Sequence, residues 1–166
     1  MIDLYPWSDA DLPVLQRMLG DRDLMVHLGG PETPDQILQR HRRYLELPAT
    51  GNSRMFAIRL QADSTCVGTI GFWDSQWEGE AVYETGWMVL PEYTGRGIAT
   101  KAALDVIERA RGAGAHRLLH AFPALSNAAS NAVCAKSGFE NLGEFAIEYP
   151  KGHFMMCNDW RLDLEV

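Results

Sequence analysis

A glycine-containing segment between an expected strand and an expected helix has the residue types and spacing of a phosphate-binding loop. Trp87–Leu90 has the pattern of a strand end, a proline follows, and helical spacing begins at Ile98. Gly95 and Gly97 allow the backbone to turn sharply between them. The first N–H groups of a helix have no internal partner and lie at the positive end of the helix dipole, which suits a pyrophosphate. Arg96 adds a full positive charge.

Two well-known phosphate loops do not fit this segment. A P-loop, G-x-x-x-x-G-K-[ST], that began at Gly95 would require a glycine at Thr100 and a serine or threonine at Ala102. The dinucleotide fingerprint G-x-G-x-x-G also meets Thr100 where its third glycine belongs, and here it follows a late strand instead of the first. The segment therefore indicates a phosphate loop of another kind.

The third option is a resemblance to the GNAT acetyltransferases. Motif A of that family reads Gln/Arg-x-x-Gly-x-Gly/Ala, which this chain matches at Gly97 and Ala99 and departs from at Thr94. A second segment, Asn127–Phe139, resembles the N-x-x-S…K-x-G-F phrase of the RimJ/RimL-like branch. Glu84–Tyr93 resembles the strand-and-loop phrase of the same branch. Together these segments identify the chain as similar to this family over nearly its whole length.

The resemblance implies a fold and an activity. The implied fold class is α/β, with residues 1–166 forming a single domain. Its central mixed sheet has about six to seven strands, flanked by about four helices, and strands four and five are splayed apart. The implied activity is N-acetyltransfer from acetyl-CoA to a primary amine by direct attack in a ternary complex. A non-catalytic acyl-CoA-binding sensor or scaffold would keep the same loop and is the alternative.

The resemblance also implies which residues bind acetyl-CoA. The end of the fourth strand would bind the pantetheine amides through its backbone and polarise the thioester carbonyl. The glycine loop would hold the pyrophosphate, and an asparagine would contact the pantetheine arm from the other side. The implied residues are Met88, Val89, Leu90, Gly95, Arg96, Gly97, Ile98, Ala99, Thr100 and Asn127.

Glu84 is the candidate base, because related enzymes use a glutamate on this strand. A free glutamate has a pKa of about 4.3 and is a poor base for an ammonium group, so burial would have to raise its pKa. Two other roles stay open for Glu84. It would attract a cationic substrate in one and form a salt bridge within the sheet in the other.

The general acid is less well defined by the sequence. Many family members use a tyrosine on the last short helix, and none lies between Asn127 and Phe139. Ser130 resembles the serine proposed for that role in RimL-like enzymes, although a serine in the first turn of a helix also caps the backbone. Cys134 is expected in the core. His120 is expected to be a core histidine, with a proton relay near the splay as the alternative.

Three segments are expected to form the acceptor site: Met25–Glu32, Trp73–Glu80 and the loop around Tyr149. Aromatic rings next to carboxylates suit a cationic amine. An exposed acidic hairpin loop with packed tryptophans is the alternative for the second segment. The candidate substrate-binding residues are Trp73, Asp74, Trp77, Glu78 and Tyr149. A protein N-terminus, a polyamine-like small amine and an aminoglycoside-like compound all remain open as acceptors.

The elements that position these residues follow from hydrophobic periodicity. Helical spacing covers residues 9–19, 33–47, 98–110 and 127–137. Strand patterns cover residues 2–5, 54–60, 66–73, 81–90, 117–122, 139–149 and 153–164. Turns or polar loops are expected at 48–52, 61–65, 74–80 and 150–152. The order β-α-α-β-β-β-α-β-α-β-β predicts a mixed sheet.

Composition excludes several classes of protein. With 15 Lys and Arg against 22 Asp and Glu, the net charge of −7 argues against nucleic-acid binding, which requires cations to neutralise phosphates. Three cysteines without short spacing predict a reducing compartment and no disulfide framework. No metal-ligand spacing, leader pattern or long apolar run is apparent, so we expect no metal, no membrane association and a cytoplasmic location. Any homodimer is expected to form through the last strands.

Overall fold

The computed structural model describes residues 1–149 and 151–166. Its helices are α1 (Leu12–Gly20), α2 (Pro34–Thr50), α3 (Ile98–Ala113) and α4 (Ala128–Lys136). Its strands are β1 (Ile2–Pro6), β2 (Arg54–Leu60), β3 (Cys66–Trp77), β4 (Glu80–Val89), β5 (Leu118–Ala121), β6 (Glu140–Glu148) and β7 (Phe154–Asp163). The predicted order of elements is confirmed. The expected turn at 150–152 includes Pro150, which lies outside the described residues.

The strands form one seven-stranded mixed sheet in the order β1-β2-β3-β4-β5-β7-β6. The β4–β5 pair is parallel, and the other neighbouring pairs are antiparallel. β4 pairs with β5 at only two positions, Tyr83–Leu119 and Glu84–His120. Beyond Glu84 the two strands no longer pair, so a cleft opens between them at the place expected from the sequence.

Helices cover both faces of the sheet and form two cores. On one face α1 packs over β3 and α2 over β2; this core includes Leu15, Met18, Ile37, Met55, Ala57 and, just after β4, Leu90. On the other face α3 packs over β1, β3 and β4; this core includes Ile58, Ile70, Tyr83, Ile98, Val106 and Leu119. The cleft strand β4 is therefore fixed from both sides by buried apolar side chains, whose burial is the main stabilising term in folding.

The expected polar loop at 74–80 is wrong. β3 continues to Trp77 and pairs with β4 as far as Trp77–Glu80, so a tight hairpin replaces the loop. The turn is formed by Glu78 and Gly79, both in the left-handed region, with φ of 50° and 84°. Such two-residue turns match the twist of antiparallel strands. The polar residues that suggested a loop are the exposed half of an alternating strand.

Two helix boundaries also differ from expectation. The first expected helix starts as a 3-10 turn at Asp9–Asp11, and α1 begins at Leu12. α2 continues through Pro48 to Thr50, although a turn was expected from residue 48. A proline in the last turn costs the helix one backbone hydrogen bond without ending it.

Candidate functional site

The loop before α3 presents a row of unpaired N–H groups. Gly95 and Gly97 have φ of 73° and 74°, and no atom lies within 4 Å of the position that a Cβ would occupy on either. Gly97 is the N-cap of α3, and no side chain caps this helix. The first helical bond runs from Lys101 N–H to the Gly97 carbonyl at 3.0 Å. Within residues 1–149 and 151–166, no N–H from Gly95 to Thr100 has a hydrogen-bond acceptor. This arrangement can bind an anion.

Side chains in and beside the glycine loop hold it in place. The Arg96 guanidinium donates to the Glu92 carbonyl at 2.9 Å, and Arg17 of α1 pairs with the Glu92 carboxylate at 2.8 Å. The Thr94 hydroxyl donates to the Pro91 carbonyl at 2.8 Å. Thr94, where this chain departs from motif A, therefore uses its side chain to stabilise the turn.

The end of β4 turns alternate backbone groups toward the cleft. Leu90 N–H donates to the Val67 carbonyl at 2.8 Å, which fixes the alternation of the β3–β4 ladder. In an antiparallel ladder alternate residues bond to the same neighbour, so Met88 and Leu90 direct their backbone groups to β3. Trp87 and Val89 direct theirs to the side that β5 has left. Val89 was among the expected backbone ligands, and Trp87 was not.

Gly68 on β3 allows an unusually close approach at this strand end. A Cβ on Gly68 would lie 2.2 Å from the Met88 carbonyl oxygen and 3.1 Å from the Val89 Cα. Both contacts are with backbone, which cannot move aside without shifting β4. Only glycine fits here, and the position was not singled out from the sequence.

Glu84 lies at the point where β4 and β5 part. Its register partners are Trp73 on β3 and His120 on β5. The Ser75 hydroxyl donates to its carboxylate at 3.1 Å. Burial raises the pKa of Glu84, and the polar side chains of Ser75, Trp73 and His120 offset this only in part. A carboxyl with a raised pKa in a cleft suits general base chemistry.

A buried polar network continues from Glu84 toward the far strands. His120 Nδ1 hydrogen-bonds to Asp159 Oδ1 at 2.7 Å, and Trp77 Nε1 donates to Asp159 Oδ2 at 2.9 Å. The Trp77 ring packs against Phe122 and Phe145 at centroid distances of 4.5 and 4.6 Å. The sequence analysis missed Asp159, because no local pattern links it to His120. Only the pairing of β5 with β7 brings the two together.

The candidate substrate residues of the β3–β4 hairpin are divided between two faces. Trp73 and Trp77 alternate to the face that carries Glu84. Asp74 points to the opposite face, where its carboxylate contacts His116 Nε2 at 2.8 Å. Glu78 is exposed in the hairpin turn. The structure therefore brings the two tryptophans, but not Asp74 or Glu78, to the side of the sheet that holds Glu84.

Tyr149 meets the segment between α1 and α2. Arg40 of α2 interacts with Tyr149 and also binds the Glu32 carboxylate, with Nε at 3.2 Å from Oε2. His27 Nδ1 lies 2.9 Å from the Ser126 hydroxyl in the loop before α4. Two of the three segments expected at the acceptor site, 25–32 and the β6–β7 hairpin, therefore come together.

The start of α4 carries the remaining candidates. Asn127 Oδ1 accepts from Ser130 N–H at 3.1 Å, so Asn127 is the cap of this helix. The Ser130 hydroxyl has no hydrogen-bond partner among the described residues. Cys134 is fully buried, and burial raises the pKa of its thiol to about 12, which keeps the thiol neutral as part of the core.

Two further observations bear on the kind of site. In residues 1–149 and 151–166, no group of three His, Cys, Asp or Glu side chains is placed to hold a metal ion. No helix of this described part is long and apolar enough to cross a membrane.

Comparison with known proteins gives a family and one curated relative. Residues 2–140 match the family described as "Acetyltransferase (GNAT) domain". The uncharacterized N-acetyltransferase YnaD of Bacillus subtilis (strain 168) is 31% identical over 110 residues. That match covers 66% of this chain and 60% of YnaD, so the chain spans less than two thirds of this relative's length.

Solved structures share the fold along nearly the whole chain. A GNAT-family acetyltransferase from Bacillus anthracis has a TM-score of 0.82 and 20% identity, covering 99% of this chain and 96% of that one. Spermidine N-acetyltransferase from Vibrio cholerae, in complex with CoA and spermine, has a TM-score of 0.81 and 14% identity, with 99% and 96% covered. yncA, a putative acetyltransferase from Salmonella typhimurium with its cofactor acetyl-CoA, has a TM-score of 0.80 and 19% identity, with 98% and 94% covered.

Proposed function

The chain belongs to the GNAT acetyltransferase family, and we propose that it transfers an acetyl group from acetyl-CoA to a primary amine. The observation that carries this proposal is the separation of β4 and β5 beside Glu84. The same strand, β4, leads into the Gly95–Thr100 loop with its unpaired N–H groups. An acyl-CoA sensor would need the loop alone. A partly buried carboxyl with a raised pKa at the apex of the same cleft favours the enzyme.

The residues of the cleft fit acetyl-CoA. Among the described residues, no acceptor pairs with the N–H groups from Gly95 to Thr100, and no atom occupies the space beside either loop glycine. We assign the pyrophosphate to this loop together with Ile98, Ala99 and Arg96. The pantetheine amides are assigned to the outward backbone groups of Trp87 and Val89, and the opposite side of the arm to Asn127. Acetyl-CoA bound there supplies a thioester carbonyl that an amine can attack.

The chain's own groups then perform three tasks. The Trp87 and Val89 backbone holds and polarises the acyl end through fixed donors, which need no reorganisation during the reaction. The Glu84 carboxylate takes a proton from the bound ammonium group, forming an O–H bond as the N–H bond breaks. Ser130, whose hydroxyl has no partner in the described part of the chain, is the candidate donor of a proton to the departing sulfur.

A cationic amine is the proposed acceptor class. Trp73 and Trp77 lie on the Glu84 face, and aromatic faces next to a carboxylate attract ammonium groups. The net charge of −7 further favours cations over anions. Both a protein N-terminus and a small polyamine-like molecule meet this description, and Tyr149 with the 25–32 segment would select between them.

The proposal also covers the family branch, the location and the dimer contact. We assign the chain to the RimJ/RimL-like branch on its Asn127–Phe139 segment and treat residues 1–166 as one cytoplasmic domain. Any homodimer would use β6, which lies at the edge of the sheet.

The decisive experiment measures thiol release from acetyl-CoA with a panel of amines. The panel contains peptides with free N-termini, polyamines and aminoglycosides, and calorimetry measures acetyl-CoA binding in parallel. We expect turnover with one class and micromolar to millimolar KM, as for enzymes in general. Binding without turnover for any amine would favour the sensor, and failure to bind acetyl-CoA would overturn the assignment of the Gly95–Thr100 loop.

A further inference from the structure

His120 is next to Glu84 in the sheet and is hydrogen-bonded to a buried carboxylate, which a residue that only packs in the core would not need. It is 3% exposed, and its Cα is the register partner of Glu84 at the last pairing of β4 and β5. Its Nδ1 is 2.7 Å from Asp159, a carboxylate that is itself largely buried. A buried charge is costly unless it is paired, and Asp159 has both oxygens occupied, one by His120 and one by the Trp77 indole.

The second nitrogen of His120 is accessible to solvent. Nε2 has no hydrogen-bond partner among the described residues. The only buried side-chain nitrogen or oxygen without a partner in that part of the chain is the Ser137 hydroxyl. Nε2 of His120 therefore keeps contact with solvent, and the small exposed area of this residue includes that atom. Glu84 is the register partner of His120 on β4, and the two side chains interact electrostatically.

Hydrogen bonding at Asp159 selects one tautomer of the ring. A carboxylate only accepts hydrogen bonds, so the Nδ1 atom of neutral His120 must carry the proton. Nε2 then has a free lone pair that is accessible to solvent. We propose that His120, oriented by Asp159, is the second proton carrier of the reaction and receives at Nε2 the proton that Glu84 takes from the amine. This inference rests on the proposed acetyl transfer.

The proton transfers balance along this route. The ammonium N–H bond breaks as the Glu84 O–H bond forms. Glu84 and Nε2 are not hydrogen-bonded to each other, so a bridging water completes the route: it accepts the Glu84 proton as it gives one of its own to Nε2, where the new N–H bond forms. Glu84 returns to the carboxylate, and the imidazolium is stabilised by Asp159 through the Nδ1–H bond. The proton leaves Nε2 for solvent through the open cleft. Asp159 does not touch the amine and is a positioning residue.

The charged groups around His120 are compatible with this role. β4 supplies Glu84, and β7 supplies Asp159 and Arg161, the register partner of His120. The Arg161 guanidinium is directed to Glu140 on β6 at 3.0 Å. β3 contributes the neutral side chains of Ser75 and Trp77. Two carboxylates, those of Glu84 and Asp159, thus lie on the strands beside the ring.

The first test does not depend on knowing the acceptor. Nitrogen-15 NMR of the full chain distinguishes the two neutral tautomers of His120, with and without CoA. At pH values where the ring is neutral, we expect a proton on Nδ1 and none on Nε2. A proton on Nε2 of the neutral ring would overturn the proposal, whatever the enzyme acetylates.

The second test uses Asp159→Asn, which keeps the size of the side chain. The amide must give its oxygen to the Trp77 indole and its NH2 to Nδ1, so the proton of neutral His120 moves to Nε2. We expect turnover to fall by about 100-fold or more, as for loss of an acid–base group, with acetyl-CoA affinity unchanged. The matched control is Asp163→Asn on the same strand, whose carboxylate binds Arg117. We expect that control to retain full turnover.

Chemical rescue separates a proton carrier from a structural histidine. His120→Ala leaves a cavity at the cleft apex, and added imidazole should restore part of the lost turnover in proportion to its concentration. Rescue that fails while Asp159→Asn stays active would overturn the proposal. If the wild-type chain shows no turnover with any amine, the proposed function is contradicted instead. Failure of the His120 proposal and failure of the proposed function are therefore distinguishable.

Discussion

The loop at Gly95–Thr100 and the network at Glu84, His120 and Asp159 serve one cleft but are built in different ways. The proposed binding groups of the loop are backbone N–H groups that six consecutive residues supply. The network consists of side chains from β3, β4, β5 and β7, brought together by strand pairing. Backbone geometry should therefore control binding of acetyl-CoA, and side-chain chemistry should control turnover. Variants in the two regions should separate these two quantities.

The largest expected effect is on turnover in Glu84→Gln. The amide keeps the size and the hydrogen bond from Ser75 but cannot accept the amine proton, so we expect turnover to fall by about 10²–10⁴-fold. Calorimetry should find acetyl-CoA affinity unchanged. Glu46→Gln, at an exposed position on α2, is the matched control. Full turnover in Glu84→Gln would remove Glu84 from the role of base, and lost acetyl-CoA binding would break the separation of the two regions.

The next effect is expected at Gly68, where the two regions meet. Gly68→Ala places a methyl group 2.2 Å from the Met88 carbonyl and forces the end of β4 to shift. Overpacking of this kind costs about 1–3 kcal/mol. We expect both acetyl-CoA affinity and turnover to fall by roughly tenfold or more, since each 1.4 kcal/mol is a factor of ten.

Gly20→Ala is the control for that substitution, because no atom lies within 4 Å of its Cβ position and its φ is not positive. The two variants are compared by calorimetry and by thiol release. Normal acetyl-CoA affinity in Gly68→Ala would mean that the β4 backbone does not hold the pantetheine arm.

Gly97→Ala tests the loop by itself. A left-handed conformation costs a non-glycine residue about 1–2 kcal/mol, so we expect acetyl-CoA affinity to fall by roughly 5–30-fold. Turnover at saturating acetyl-CoA should change little. Gly112→Ala on the same helix is the control, since its φ is not positive and alanine favours helix by about 0.5–1 kcal/mol. A turnover defect that saturation does not correct would contradict the assignment of the loop to binding alone.

The contrast between the two regions also explains what the sequence could predict. The loop is local: two glycines, an arginine and the start of a helix identify it within a dozen residues, and the structure has these elements in place. Glu84 was identified through its strand, because the phrase that follows it is part of the same local pattern. The order of strands and helices followed from periodicity for the same reason.

The rest depends on strand register, which periodicity does not contain. Asp159 reaches His120 only because β7 enters the sheet beside β5, ahead of β6. Trp77 and Asp74 looked like parts of one polar loop, but they alternate to opposite faces of an extended β3. Because side chains alternate along a strand, a shift of one residue in the register of β3 would exchange which of them faces the site. Residues such as Asp159, which long-range strand pairing brings to the candidate site, could therefore not be predicted from the sequence.

Glu84→Gln should also change stability in a pH-dependent way. Burial raises the pKa of Glu84, so the folded chain holds this proton at pH values where the unfolded chain has released it. Stability contributed by this group therefore falls as pH rises from the unfolded pKa through the raised folded pKa. We expect the variant to melt above the wild type at pH 8, with each 1 kcal/mol worth about 2–4 °C, and the gain to vanish below about pH 4. A Tm difference that is the same at both pH values, by calorimetry, would contradict the raised pKa.

The smallest expected effect is at Arg96, where the loop uses a side chain instead of its backbone. Arg96 is exposed, and its guanidinium lies 5.4 Å from the centre of the Tyr93 ring and bonds the Glu92 carbonyl. Exposed charge interactions are worth about 0.2–1 kcal/mol, so we expect Arg96→Ala to weaken acetyl-CoA binding by only a few-fold.

Salt dependence tells whether that contribution is electrostatic. Screening weakens exposed charge pairs, so the affinity of the wild type should fall more steeply with ionic strength than that of Arg96→Ala. Arg42→Ala, at an exposed position on α2, is the control and should keep the wild-type slope. Equal slopes for the wild type and Arg96→Ala would mean that the guanidinium lies away from the bound pyrophosphate. The loop would then bind through its backbone alone, and the contrast with the side-chain network at Glu84 would become sharper.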